Sequence, residues 1–166
     1  MIDYQKLKAE IHDWSIKKGW FDPTAEPRPI ESLLMLVVTE VAESVEAYRA
    51  GNPPCERPGM EHLTHVAEEL ADVVIRLVQL SDEHGIEIET ERRRRDVSNT
   101  DDVLVMHWDI VVLLNSMGLF GDSVSLRILL DVIEDVAAAM EIDLEESVRL
   151  KMAFNWTRPH KHGKKC

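Results

Sequence analysis

The chain has 166 residues, enough for one domain with a full hydrophobic core and too few for two comfortable ones. Its 45% hydrophobic and 30% charged residues are those of an ordinary globular protein, while 5% aromatics, seven glycines and seven prolines leave too few turn residues for a sandwich or barrel. A formal net charge of −12 repels nucleic-acid backbones and anionic membranes, so neither is expected as a partner.

Residues from about 3 to 18 carry Leu7, Ile11 and Trp14 at helical spacing, and Gly19 closes this first helix. The proline-rich loop that follows, Gly19 to Pro29, cannot continue it. A second helix is expected from Ile30 to Ala50, stopped by Gly51-Asn52-Pro53-Pro54, and a third from Met60 to His84, ended by Gly85. Glu89 to Asp101 is polar and aperiodic and reads as a solvated connection or a frayed helix end, with Arg92 to Arg95 a solvated charge run. A fourth helix is expected over Asp101 to Met117, broken by Gly118 and Gly121, and a fifth over Asp122 to Met140. The last begins near Asp143, a suitable N-cap, and stops before Pro159, leaving a basic, irregular tail. The fold class is therefore all-α, a bundle of about six helices in a single domain over residues 1–166. The longest apolar run, Leu33 to Val38, is far too short to span a bilayer. The amino-terminal segment lacks the apolar core of a signal peptide, and Cys55 and Cys166 have no metal-ligand spacing. A cytoplasmic setting with free thiols is the expectation.

The informative anomaly lies on the second helix. Leu33, Leu36, Val37, Glu40, Glu43 and Ala47 follow one helical stripe, so an apolar face runs into two glutamates without changing side. Residues three apart on a helix have β-carbons about 5–6 Å apart, close enough to share a cation. The third helix repeats the pattern: Glu69 and Asp72 interrupt an otherwise almost wholly apolar surface, and Arg76 follows one turn on. Enclosing four unpaired carboxylates costs several kcal/mol each, a cost that a divalent cation removes. An all-oxygen cluster points to Mg²⁺, with Mn²⁺ as a substitute. Single pairs of this kind are mostly solvated, and Glu46, Glu68, Asp131 and Glu134 are assigned to that background. A di-iron bundle is disfavoured because no histidine has an acid three residues before it. Zinc is disfavoured because neither cysteine has a paired ligand.

Thr39-Glu-Val-Ala-Glu-Ser-Val-Glu-Ala-Tyr-Arg and Glu68-Glu-Leu-Ala-Asp-Val-Val-Ile-Arg-Leu resemble the E-x-x-E…E-x-x-D signature of the MazG-like all-α NTP pyrophosphatases, a superfamily that includes dimeric dUTPases and dCTP pyrophosphatases. Lys18-Gly-Trp-Phe-Asp-Pro and the carboxy-terminal Lys151-x-x-x-Asn155-x-x-Arg158 resemble further blocks of that superfamily, in its order and over about half the chain. Two departures stand out. Thr39 occupies a position where some members carry another glutamate, and the stretch between Gly85 and Ile142 adds two helices. The resemblance implies a four-helix core with an insertion at about 90–141, and Mg²⁺-dependent hydrolysis of a (d)NTP to the monophosphate and pyrophosphate. Glu40, Glu43, Glu69 and Asp72 are then the metal-binding and catalytic residues. Lys151, Asn155, Arg158, Arg76 and Trp20 are the substrate-binding ones, with Lys161, Lys164 and Lys165 closing from the tail. It further implies a homodimer or homotetramer with a house-cleaning or pool-balancing role. Trp14, Trp108 and the methionines are expected to be packing residues. Two other functions stay open: a non-catalytic helical metal-binding module, and a related enzyme acting on a phosphoribosyl-nucleotide intermediate.

Overall fold

The computed structural model describes residues 2–92 and 102–163. Its elements are helices α1 (Tyr4–Lys17), α2 (Ile30–Arg49), α3 (His65–Glu83), α4 (Val103–Phe120), α5 (Ser123–Ala139) and α6 (Leu144–Thr157), followed by a 3₁₀ turn over His160–Gly163. The chain is all-α, and among the described residues there is no strand, only an isolated bridge between Pro54 and Thr64. Among the same residues no helix is long and apolar enough to cross a membrane.

Each helix starts where its capping chemistry allows. Asp3, Thr64, Asp102, Asp122 and Asp143 accept a hydrogen bond from a backbone N–H of the first turn, removing one orphan donor apiece. Pro29 opens α2 without a side-chain cap, its fixed φ suiting the entry to a helix. Three boundaries differ from the sequence expectation. α3 starts at His65 rather than Met60, because Cys55 N–H bonds to Leu63 carbonyl and His65 N–H to Pro53 carbonyl, which holds this segment in a tight loop. Gly118 lies inside α4, where a β-carbon would stand 3.3 Å from Leu34 Cδ1; the residue allows α4 to approach α2 rather than ending it, and Gly121 ends it in a left-handed conformation. The tail forms a turn where irregular chain was expected.

α3 is the central helix. Val66, Leu70, Val73, Val74, Leu77, Val78 and Leu80 are fully buried, and the helix contacts α1, α2, α5 and α6. Burial of each such side chain is worth about 1.5–3 kcal/mol, so α3 contributes much of the drive to fold. α4 and α5 pack on each other, and on α2 and α3 respectively. A buried pair fastens α4 to α2. His107 Nδ1 lies 2.7 Å from Val103 carbonyl and Nε2 2.9 Å from Ser44 Oγ. The carbonyl accepts the Nδ1 proton, so Nε2 accepts from the serine hydroxyl, and burial keeps the ring neutral.

Asp131 and Glu134, which the sequence places on a solvated face, belong instead to a second tie between α1 and α5. Arg127 is buried, bonds to Asp131 and Glu134, and stands 5.0 Å from the Tyr4 ring centroid; Tyr4 donates to Glu134 at 2.8 Å. Arg92 joins the same network through Asp131 and Asp135, so it is not merely solvated; Arg93–Arg95 lie outside the described residues. Trp108, expected in the core, is 63% exposed and shares an outward face of α4 with Leu104, Val105 and Val112. Met35 is likewise exposed.

Candidate metal and phosphate site

The cross-contacts between α2 and α3 run in opposite order, Glu40 with Arg76 and Glu43 with Glu69. The two helices are therefore antiparallel, and their interrupted apolar stripes face each other. Carboxylate oxygens of Glu40, Glu43 and Glu69 lie within 4.8 Å of one another. Glu40 and Glu69 are buried and Glu43 is exposed, so the trio sits at the mouth of a cavity rather than sealed beneath it. That cavity, about 220 Å³, is lined by all four sequence-predicted carboxylates and by Lys151, Asn155, Arg158, Arg76 and Trp20. These nine residues, the core of the set expected from the sequence, thus face one space.

Asp72 departs from the expected set. It lines the cavity but is not in the trio; Lys151 Nζ holds its Oδ2 at 2.8 Å. Lys151 is 3% exposed and also lies 2.5 Å from Glu68 Oε1. Glu68, fully buried, is the anchor of this corner: it accepts from Arg57 Nε at 2.8 Å and from the Cys55 thiol at 3.0 Å. The sequence reading assigned it to the solvated background. α3 is apolar around almost its whole circumference, so Glu68 is enclosed as its neighbour Glu69 is. Arg57, Arg28, Trp14 and Gln79 also line the cavity without having been singled out as site residues.

The electrostatics divide the cluster. Burial raises the Glu68 carboxyl, but Lys151 and Arg57 outweigh it and bring the group to about 2. Burial lowers Lys151, yet Asp72 and Glu68 hold it above its ordinary value, so it stays cationic. The Cys55 thiol is pushed up to about 11 by burial and by Glu68, which keeps it a neutral donor. Glu69 has no ion pair among the described residues: burial, then Asp72, with smaller contributions from Glu68 and Glu43, pushes it up to about 8 against the pull of Lys151. Burial also raises Asp72 despite the adjacent lysine. Three close oxygen donors, one of them strained towards protonation, suit a hard divalent cation; nitrogen and sulfur ligands are absent from the trio.

Five cationic side chains face the cavity. Arg28 is held by Glu83, Arg57 by Glu68, Arg76 by Glu40 at 2.5 Å, and Lys151 by Glu68 and Asp72. Arg158 has no ion pair among the described residues. It stands 5.9 Å from the Phe154 ring centroid, with Arg57 at 5.8 Å from the same ring. Burial and the neighbouring Arg57 lower its pKa.

The two ends of the resemblance meet here. Lys18 Nζ donates to the carbonyls of Trp156 and Arg158 at 2.7 and 2.6 Å, and Lys161 N–H to the Lys18 carbonyl at 2.8 Å. Gly19, at φ +76°, lies under His160, whose Nε2 would stand 2.0 Å from a β-carbon. This contact fixes the end of α6, and Arg158 with it, against the loop that carries Trp20. Phe21 packs edge-on to His12. Lys161 is not among the lining residues, and Lys164 and Lys165 lie outside the described residues. No protein-family model, curated protein or solved structure matches the chain.

Proposed function

We propose that the chain is a MazG-like, Mg²⁺-dependent nucleotide pyrophosphohydrolase that converts a (d)NTP and water to the monophosphate and pyrophosphate. The observation that carries this reading is the convergence of the Glu40–Glu43–Glu69 oxygens with Lys151 and Arg158 on one cavity. Glu40, Glu43 and Glu69 hold the cation, with Asp72 joining once Lys151 turns from it to a phosphate. A bound Mg²⁺ neutralises phosphate charge and lowers the pKa of the attacking water. Arg158 and Lys151 hold phosphate oxygens, Asn155 orients sugar or phosphate, and a carboxylate of the cluster accepts the proton of the water. Arg76 reaches substrate by exchanging Glu40 for it, and Trp20 offers a ring for the base.

The Arg76–Glu40 and Lys151–Asp72 pairs favour one competing reading, a non-catalytic module whose carboxylates are neutralised internally. Pyrophosphate release from a (d)NTP panel with Mg²⁺ and with EDTA separates the two. Metal-dependent release supports the enzyme; none, in a protein that binds Mg²⁺, supports the module. A homo-oligomer is part of the proposal, and the exposed apolar face of α4 around Trp108 supports it.

A further inference from the structure

Three of the cations around the cavity meet in one corner. Arg57 Nε and Lys151 Nζ both donate to Glu68 Oε1, at 2.8 and 2.5 Å, so one buried carboxylate holds the two side by side. Arg57 arrives from the loop between α2 and α3, and its guanidinium carbon stands 5.8 Å from the centroid of the Phe154 ring. Arg158 stands 5.9 Å from the same ring. A single aromatic ring thus backs two guanidiniums, and both line the cavity.

Their donors are largely unspent. Among the described residues the Arg57 side chain bonds only through Nε and is 51% exposed, and the Arg158 side chain makes no hydrogen bond or ion pair. After burial, Arg57 is the largest influence lowering the pKa of Arg158, as expected of like charges held close with no anion between them. Arg28 gives the contrast. It commits both Nε and Nη2 to Glu83, at the far end of α3 and about four turns from Glu68. Glu69, Asp72 and Arg76 lie between these two ends of the helix.

Resting on the pyrophosphohydrolase reading, we infer that Arg57, together with Arg158, forms the subsite for the two terminal phosphates, the pair that departs as pyrophosphate, and so makes the chain select nucleoside triphosphates over diphosphates. With the α-phosphorus at the carboxylate cation, the β- and γ-phosphates extend past Glu69 to this corner, and sugar and base take the stretch toward Arg28. Two planar forks match the several oxygens of a diphosphate group, whereas a single terminal phosphate leaves one fork unfilled.

The test compares kcat/KM for each dNTP with that for its dNDP, which releases phosphate in place of pyrophosphate, in Mg²⁺ with the full chain, Arg57→Gln and Phe154→Leu. Phe154→Leu removes the shared ring and keeps both partners of the Arg57–Glu68 pair; circular dichroism melts establish that each variant is folded. Wild type is expected to favour the triphosphate by roughly ten- to hundred-fold, the range that a hydrogen bond to a charged group supplies. Both variants are expected to bring that ratio within about threefold, and Arg57→Lys, which keeps the charge and loses the fork, to fall between. A wild type that turns over dNDPs as well as dNTPs, or folded variants with an unchanged ratio, overturns the assignment while leaving the parent reading intact. If wild type turns over no nucleotide, the parent reading fails, and calorimetric binding of inorganic pyrophosphate and of phosphate in Mg²⁺ decides the subsite alone. Pyrophosphate bound more tightly than phosphate, and roughly tenfold more weakly by Arg57→Gln, upholds it. Equal pyrophosphate affinity in wild type and variant, or no binding by wild type, overturns it.

Discussion

Replacing Lys151 with methionine keeps the length and apolar stem of the side chain and removes its charge. In the folded protein the ammonium is 3% exposed and lies 2.5 Å from Glu68 and 2.8 Å from Asp72, so its loss leaves buried Glu68 with Arg57 alone and takes the cation from half-buried Asp72. Breaking a buried pair from one side costs about 3–5 kcal/mol. For a chain of this size that lowers Tm by about 6–20 °C. The pH dependence gives a second, independent reading. Glu68 is depressed from its ordinary 4.5 to about 2, so its contribution is present above pH 4.5 and is lost as pH falls through about 2. At 1.36 kcal/mol per pH unit that contribution is roughly 3 kcal/mol. In Lys151→Met the depression shrinks, so the part of the acid slope due to Glu68 flattens while overall stability at pH 7 falls. Urea denaturation followed by circular dichroism from pH 2 to 7 measures both. A loss below about 1 kcal/mol at pH 7, with an unchanged acid slope, would refute the picture of Lys151 as the buried cation of this corner.

Glu69 gives the opposite sign. Its carboxyl is pushed up to about 8, so its stabilising protonation is complete below pH 4.5 and is lost as pH rises through about 8; metal-free Glu69→Gln is expected to outlast wild type at pH 9, by roughly 4–5 kcal/mol at most, in urea titrations. Mg²⁺ is expected to raise the wild-type midpoint at pH 8 and to leave that of Glu69→Gln nearly unmoved, a contrast that thermal melts with and without EDTA resolve. Gly19→Ala meets both a positive φ and the His160 ring; it is expected to cost about 1–2 kcal/mol and to expose the α6 terminus to limited proteolysis. Trp108→Glu, on the exposed face of α4, is expected to convert an oligomer into monomer in light scattering after size exclusion while leaving the helical signal intact.

The parts of this site that were legible in the sequence are those written locally. Glu40, Glu43 and Glu69 interrupt apolar stripes at a helical interval, and that breach of pattern is visible without a fold. The six helices follow from the same periodicity and from caps such as Asp143. What was not legible depends on residues distant in sequence. Glu68 lies 83 positions from Lys151, and only the packing of α6 on α3 shows that it is an anchor rather than a surface acid. The same lysine draws Asp72 from the carboxylate trio. Gly118 has the composition of a helix stop and the role of a close contact with Leu34. Trp108 has the composition of a core residue, but the face of α4 that carries it turns away from α2 and α5. Backbone bonds between the Pro53–Cys55 and Leu63–His65 segments, invisible to periodicity, delay the start of α3.

The most direct test of the central claim is pyrophosphate release from canonical (d)NTPs by wild type, Glu43→Gln and Glu69→Gln, each with Mg²⁺ and with EDTA. Release is expected from wild type in Mg²⁺ only, and from neither variant although both retain the wild-type circular dichroism spectrum. Activity that survives in either variant, or that persists in EDTA, would contradict the assignment of these carboxylates to a catalytic cation.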